Sequence, residues 1–147
     1  MENGQKKATV LLVEDEPGDQ KLIETAILGN NSEVCLKIVS SGEEALDYLR
    51  SSMENPEQYP KPGLILLDLN MPGMGGREFL KIVKDDNELC SIPVVIVTTS
   101  DSEGDIEECY AGHAAGYIQK SASPQEFNDT FRKLTRYWFS TSVMLNR

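Results

Sequence analysis

The stretch "LILLDLNMPGMGG", residues 64–76, decides the fold. Four consecutive apolar residues, Leu64 to Leu67, run directly into Asp68, and the exit carries Asn70, Pro72 and glycines at 73, 75 and 76. A short apolar run bounded by turn residues reads as a strand covered on both faces. A carboxylate is costly to bury without a partner. Asp68 is therefore compensated by something nearby, or it stands at a strand tip facing a cleft.

Outward from this stretch, strand and helix patterns alternate. "ATVLLV" (8–13), "EVCLKIV" (33–39), "GLILL" (63–67), "PVVIV" (93–97) and "GYIQ" (116–119) read as strands. Between them, "DQKLIETAIL" is expected to turn Leu22, Ile23, Ala26 and Ile27 to one face, and "SGEEALDYL" opens with Ser41 and Glu44 at capping-box spacing. "GREFLKIV" groups Phe79, Leu80 and Val83, and "EGDIEECYAG" is a more polar helix. The last helix starts at Ser123 with Pro124 and Glu126 behind it, and repeats Phe127, Phe131 and Leu134 at core spacing. Five strands alternating with five helices predict an α/β fold, a parallel sheet with helices on both faces. No internal repeat or low-complexity segment interrupts it.

Two pieces lie outside this frame. "SSMENPEQYPKPG" (51–63), polar and with three prolines, reads as an extended surface loop. A C-terminal extension, 138–147, adds Phe139, Val143, Met144 and Leu145 beyond a complete frame. The 147 residues suit one domain, 1–147, with no output domain expected after it.

Hydrophobic content of 39% and charged content of 26% suit a globular core. Fourteen Lys and Arg against 24 Asp and Glu give a net charge of −10, with no basic run, which argues against nucleic acid and anionic membrane as partners. No charged-then-apolar leader opens the chain, and no apolar run approaches the roughly 18 residues that would span a bilayer. Cys35, Cys90 and Cys109 are odd in number and widely spaced, as free thiols are, so a cytoplasmic protein is expected.

In an open parallel sheet the cleft lies beyond the carboxyl ends of the strands, where the strand order reverses. Glu14-Asp15, Asp68, Thr98 and Lys120 follow four of the five strands and so share that edge. The fifth ends in Ser40-Ser41, which the helix cap explains. In the order 2-1-3-4-5, strands one and three are neighbours, and Asp15 and Asp68 lie side by side with Glu14 close. Three such carboxylates raise one another's pKa unless a hard cation binds them, and an all-oxygen set is magnesium chemistry. With Lys120 and a Thr98 hydroxyl, the set suits phosphoryl chemistry on an Asp nucleophile.

Across residues 8–136 the chain resembles the receiver domain of two-component response regulators. "LLVEDE", "LLDLNMPGMGG", "PVVIVTTS" and "GYIQK" carry the resemblance, in this order and at these intervals. It implies a flavodoxin-like, chemotaxis-regulator-like fold with the strand order 2-1-3-4-5. It implies Asp68 as phospho-acceptor, with Mg2+ held by Asp15, Asp68, the backbone carbonyl of Asn70 and, through water, Glu14. Lys120 would contact the phosphoryl oxygens, Thr98 (rather than Thr99) would swing toward them, and Tyr117 would turn inward with it. Phosphorylation would then shift a population toward an active surface on the fourth helix, fifth strand and fifth helix.

The family usually has proline after the lysine, where this chain has Ser121. A cis bond before serine costs about 2.5–4 kcal/mol, against about 0.5–1 before proline, so either that strain is tolerated or a trans bond aims Lys120 differently. The 51–63 loop and the tail after "RYWF" further resemble single-domain regulators serving phytochrome-type histidine kinases, in which the last helix and tail contribute to a homodimer. Plainer readings also exist. Tyr117 can be ordinary core or surface, Trp138 can simply close the domain, and His113, the one histidine, falls in a turn and reads as solvated.

The resemblance implies a stand-alone regulator that takes a phosphoryl group from a histidine kinase and signals through an unidentified downstream protein. It would not be an enzyme beyond self-phosphoryl transfer and autodephosphorylation. Two other readings compete with it. A haloacid-dehalogenase-type phosphatase wants an acid two residues after the nucleophile, where Asn70 stands and cannot shuttle a proton. A phosphorylation-independent scaffold is opposed by Asp15, Asp68, Thr98 and Lys120 all being in place.

Overall fold

In the computed structural model, which describes residues 8–29, 34–120 and 123–141, the chain alternates β1 (Ala8–Val13), α1 (Pro17–Leu28), β2 (Val34–Val39), α2 (Gly42–Glu54), β3 (Leu64–Leu67), α3 (Gly76–Asp85), β4 (Val94–Thr98), α4 (Glu103–Ala111), β5 (Gly116–Gln119) and α5 (Pro124–Arg136). The strands form one sheet in the order β2-β1-β3-β4-β5, and every pairing is parallel. This is the doubly wound, flavodoxin-like sheet expected.

The twofold alternation of the strands splits the core in two. Leu11, Val13, Ile65, Leu67, Val94 and Ile96 point to one side and pack with Leu49, Phe79, Leu80, Val83 and Cys109 of α2, α3 and α4. Val10, Leu12, Leu64, Leu66, Val95 and Val97 point to the other and pack with Ile23, Ile27, Phe127 and Phe131 of α1 and α5. Because both faces are covered, β3 has no polar position until Asp68.

The caps read from sequence are present, Ser41 and Ser123 accepting from the backbone N–H groups of Glu44 and Glu126, and Ser102 likewise accepts from Asp105 N–H at the start of α4. Two details differ from expectation. Leu22 is 41% exposed while Ile23, Ala26 and Ile27 are buried, because the i, i+3, i+4 set makes one narrow face and the preceding residue lies off it. The loop expected over 51–63 begins only at Asn55: α2 continues to Glu54, since no helix-breaking residue occurs before Pro56. The rest of that segment is anchored, with the Tyr48 hydroxyl donating to the Pro60 carbonyl at 2.7 Å and the Tyr59 ring set edge-on to Tyr48.

After α5 a π-helical turn, Tyr137–Thr141, lays Trp138 and Phe139 half-buried against the α1/α5 core. The start of the extension thus closes the domain. Val143, Met144 and Leu145 fall outside the described residues, as does Ser121, so the isomer of the Lys120–Ser121 bond does too.

Candidate functional site

Backbone pairing continues one residue past three of the strands and thereby fixes three of the candidate site residues. Glu14 N–H donates to the Val39 carbonyl at 3.0 Å, Asp68 N–H to the Val13 carbonyl at 3.0 Å, and Lys120 N–H to the Thr98 carbonyl at 2.6 Å. The three side chains emerge at one edge of the sheet, with β1 between β2 and β3 at the reversal of strand order.

Carboxylate oxygens of Glu14, Asp15 and Asp68 all lie within 4.8 Å of one another. Glu14 and Asp68 are buried and Asp15 is half-buried. Into this cluster reaches Lys120, whose side chain is 8% exposed. Its Nζ lies 2.7 Å from Glu14 Oε1, 2.7 Å from Asp19 Oδ2 and 3.6 Å from Asp68 Oδ2. Whatever the bond to Ser121, the ammonium is aimed at the acid cluster.

The electrostatics follow from burial. Desolvation drives the Glu14 carboxyl up to about 7 from the ordinary 4.5, helped by the Asp68 charge and opposed by Lys120. Desolvation would lower the Lys120 ammonium, but the hydrogen bond to Asp19, the Glu14 contact and the Asp68 charge outweigh it and raise its pKa. Lys120 meets Glu14 Oε1 as an ion, off hydrogen-bond geometry, which leaves that buried oxygen without a donated hydrogen bond. Three carboxylate oxygens within reach of one point fit a small hard dication.

The polar wall beside Asp68 comes from β4 and its exit. Thr98 is fully buried, and its hydroxyl oxygen accepts from Asn70 Nδ2 at 3.4 Å and from Ser100 N–H at 3.4 Å. Thr99, next to it, is exposed. Asn70 N–H donates to Asp68 Oδ1 at 3.3 Å, which ties the residue following Leu69 back to the carboxylate. Tyr117 is half-buried on β5, and its hydroxyl donates to the Ser100 carbonyl at 2.9 Å. His113 is exposed in the α4–β5 turn, away from the acid cluster, with φ 74°.

The structure therefore brings together Glu14, Asp15, Asp68, Asn70, Thr98 and Lys120, and connects Tyr117 to them through Ser100. Sequence reasoning missed two groups. Asp19 stands in the first turn of α1, where an acidic residue is ordinarily read as serving the helix dipole. Its spacing of one turn beyond Asp15 was the available signal. A second network was also missed: Ser100 Oγ donates to Asp105 Oδ2 at 2.6 Å, and Arg77 of α3 reaches Asp105 and Glu108 of α4 at 2.5 Å each. Nothing in the sequence pairs residue 77 with residues on another helix.

Among the described residues no helix is long and apolar enough to cross a membrane. Residues 10–132 match the response regulator receiver domain. The chain is 35% identical over 135 residues, 92% of this chain and 91% of the relative, to Response regulator Rcp1 of Synechocystis sp.. Among solved structures it is similar to the phosphorylated cyanobacterial phytochrome response regulator RcpA, with a TM-score of 0.86 and 36% identity over 95% of this chain and 99% of the other. It is likewise similar to the Mn(2+)-bound form of response regulator Rcp1, with a TM-score of 0.85 and 34% identity over the same 95% and 99%.

Proposed function

Because the chain belongs to the response regulator receiver family of two-component signalling proteins, we propose that it accepts a phosphoryl group on Asp68 from the phosphohistidine of a partner kinase. The observation that carries this reading is the buried Asp68 carboxylate set among Glu14, Asp15 and Lys120 at the carboxyl edge of the sheet. An Asp68 oxygen attacks phosphorus, the phosphorus–nitrogen bond breaks, and the imidazole departs with the bonding pair and takes up a proton. The product is an acyl phosphate on the Asp68 side chain.

Glu14, Asp15, Asp68 and the Asn70 carbonyl would hold Mg2+, and the existence of a Mn(2+)-bound form of the similar Rcp1 supports a divalent ion as ligand. When bound, the ion neutralises charge on the phosphoryl oxygens. Lys120 supplies a second cation to those oxygens, and the buried Thr98 hydroxyl turns from Asn70 toward them. Ser100 and Tyr117 carry that movement to the face of α4, β5 and α5. Asn70 donates its side-chain amide to Thr98 and supplies no acid for turnover, so chemistry stops at self-transfer and slow loss of the phosphoryl group.

The protein acts as a stand-alone cytoplasmic regulator whose donor is a phytochrome-type histidine kinase. That part of the reading is supported by the RcpA and Rcp1 similarity over nearly the whole length of both chains. It signals by docking to a downstream protein, and forms a homodimer through α5 and the C-terminal extension. Incubation with acetyl phosphate and magnesium tests the reading. Wild type gains the mass of one phosphoryl group, Asp68→Asn gains none, and deletion of 138–147 converts a dimer to a monomer on a sizing column. No gain by wild type overturns the phospho-acceptor reading, and a monomer before deletion overturns the dimer.

A further inference from the structure

Lys120 is contested by three carboxylates from three different elements: Glu14 after β1, Asp19 in α1 and Asp68 after β3. Its resting position is not centred on the acceptor. Nζ donates a hydrogen bond to Asp19 Oδ2 at 2.7 Å and touches Glu14 at 2.7 Å, but stands 3.6 Å from Asp68, beyond a charge-assisted hydrogen bond. Lys120 thus leans toward the α1 side of the cleft.

The two close partners are not equivalent. Glu14 is 1% exposed, so losing the ammonium would strand a buried carboxylate, whereas the Asp19 side chain is 28% exposed. Asp19 also occupies the first turn of α1, where the helix amides favour a negative charge without any cation beside it. Asp19 is the partner that can release Lys120 into water-accessible surroundings at small cost. An anion arriving on Asp68 brings further oxygens toward Nζ and can take the ammonium over.

From this geometry we infer that Asp19 is a positioning residue that holds Lys120 withdrawn from Asp68 until a phosphoryl group on Asp68 displaces it. The role rests on the reading of Asp68 as phospho-acceptor. Asp19 keeps the lysine charged, ordered and next to the acceptor, and sets how much of the lysine's attraction to a phosphoryl group is spent on leaving its resting partner.

The test is the affinity of the full-length protein for beryllofluoride at saturating magnesium, followed by fluorine NMR, in wild type, Asp19→Asn and Asp19→Ala. Both variants are expected to bind at about five-fold lower beryllofluoride than wild type, as suits loss of one competing charge-assisted bond. Their unfolding midpoints are expected to stay near wild type. Salt separates the direct contact from a general field effect, since the screening length falls to about 3 Å at 1 M. The gain is expected to persist at about 1 M sodium chloride. Unchanged or weaker binding by the variants, or a gain that vanishes in high salt, overturns the role of Asp19 and leaves the acceptor reading standing. Absence of binding by wild type overturns the acceptor reading, and this role with it.

Discussion

Gly76 lies directly against Asp68: a Cβ built on Gly76 would come 2.3 Å from the Asp68 carbonyl oxygen and 2.7 Å from the Leu69 Cα. Both neighbours are backbone, so neither can rotate aside. The close approach lets α3 begin immediately after the loop that carries Asp68, with Gly76 N–H donating to the Leu69 carbonyl at 3.1 Å. Gly76→Ala is expected to destabilise the protein by about 1–3 kcal/mol through forced backbone movement. Urea unfolding checks it, and the variant should also lose beryllofluoride binding because the loop carrying Asp68 must shift.

Burial of Glu14 makes the metal-free protein pH-sensitive. Its carboxyl is pushed to about 7 in the fold from an ordinary 4.5. Between those values the unfolded chain is ionised there while the folded chain still holds the proton, so stability falls as pH rises through the window and levels above it. Unfolding midpoints from pH 4.5 to 8 in chelator should show this fall. Glu14→Gln should flatten it, and added magnesium should reduce it by supplying a partner for the charged form.

Arg77 clasps α3 to α4 through Asp105 and Glu108, and the same Asp105 accepts from Ser100 at the exit of β4. The Ser100 hydrogen bond and the Arg77 guanidinium both hold the Asp105 carboxyl below its usual range. Arg77 and Glu108 are largely solvent-exposed, so Arg77→Gln is expected to move the unfolding midpoint little. It should instead loosen the start of α4, seen as faster amide exchange over residues 102–108 with the core strands unchanged.

Much of this was legible in the chain because the informative residues break local rules. Asp68 at the end of "LILL", Lys120 after "GYIQ" and the acid pair after "ATVLLV" are polar tips on apolar strands, and parallel topology gathers such tips without any knowledge of side-chain contacts. Ser123 with Pro124 gave the start of α5 for equally local reasons. What stayed hidden depends on three-dimensional proximity. Asp19 looks like an ordinary first-turn acid until Lys120, 101 residues later, is laid beside it. Arg77, Asp105 and Glu108 are unremarkable surface charges on two separate helices. The overlong loop at 51–63 came from reading polar composition as loop, when only Pro56 actually stops α2. Leu22 is exposed because the buried face of α1 is one residue narrower than its apolar pattern.

Phosphorylation of Asp68 can be read directly by trapping its acyl phosphate. After treatment with acetyl phosphate and magnesium, borohydride reduction converts an acyl phosphate on aspartate to homoserine, which peptide mass spectrometry locates by residue. Homoserine at position 68 alone, absent when magnesium is chelated, is the predicted result. Homoserine at Asp15, Asp19 or another acid in place of Asp68, or none at any position, would contradict the account.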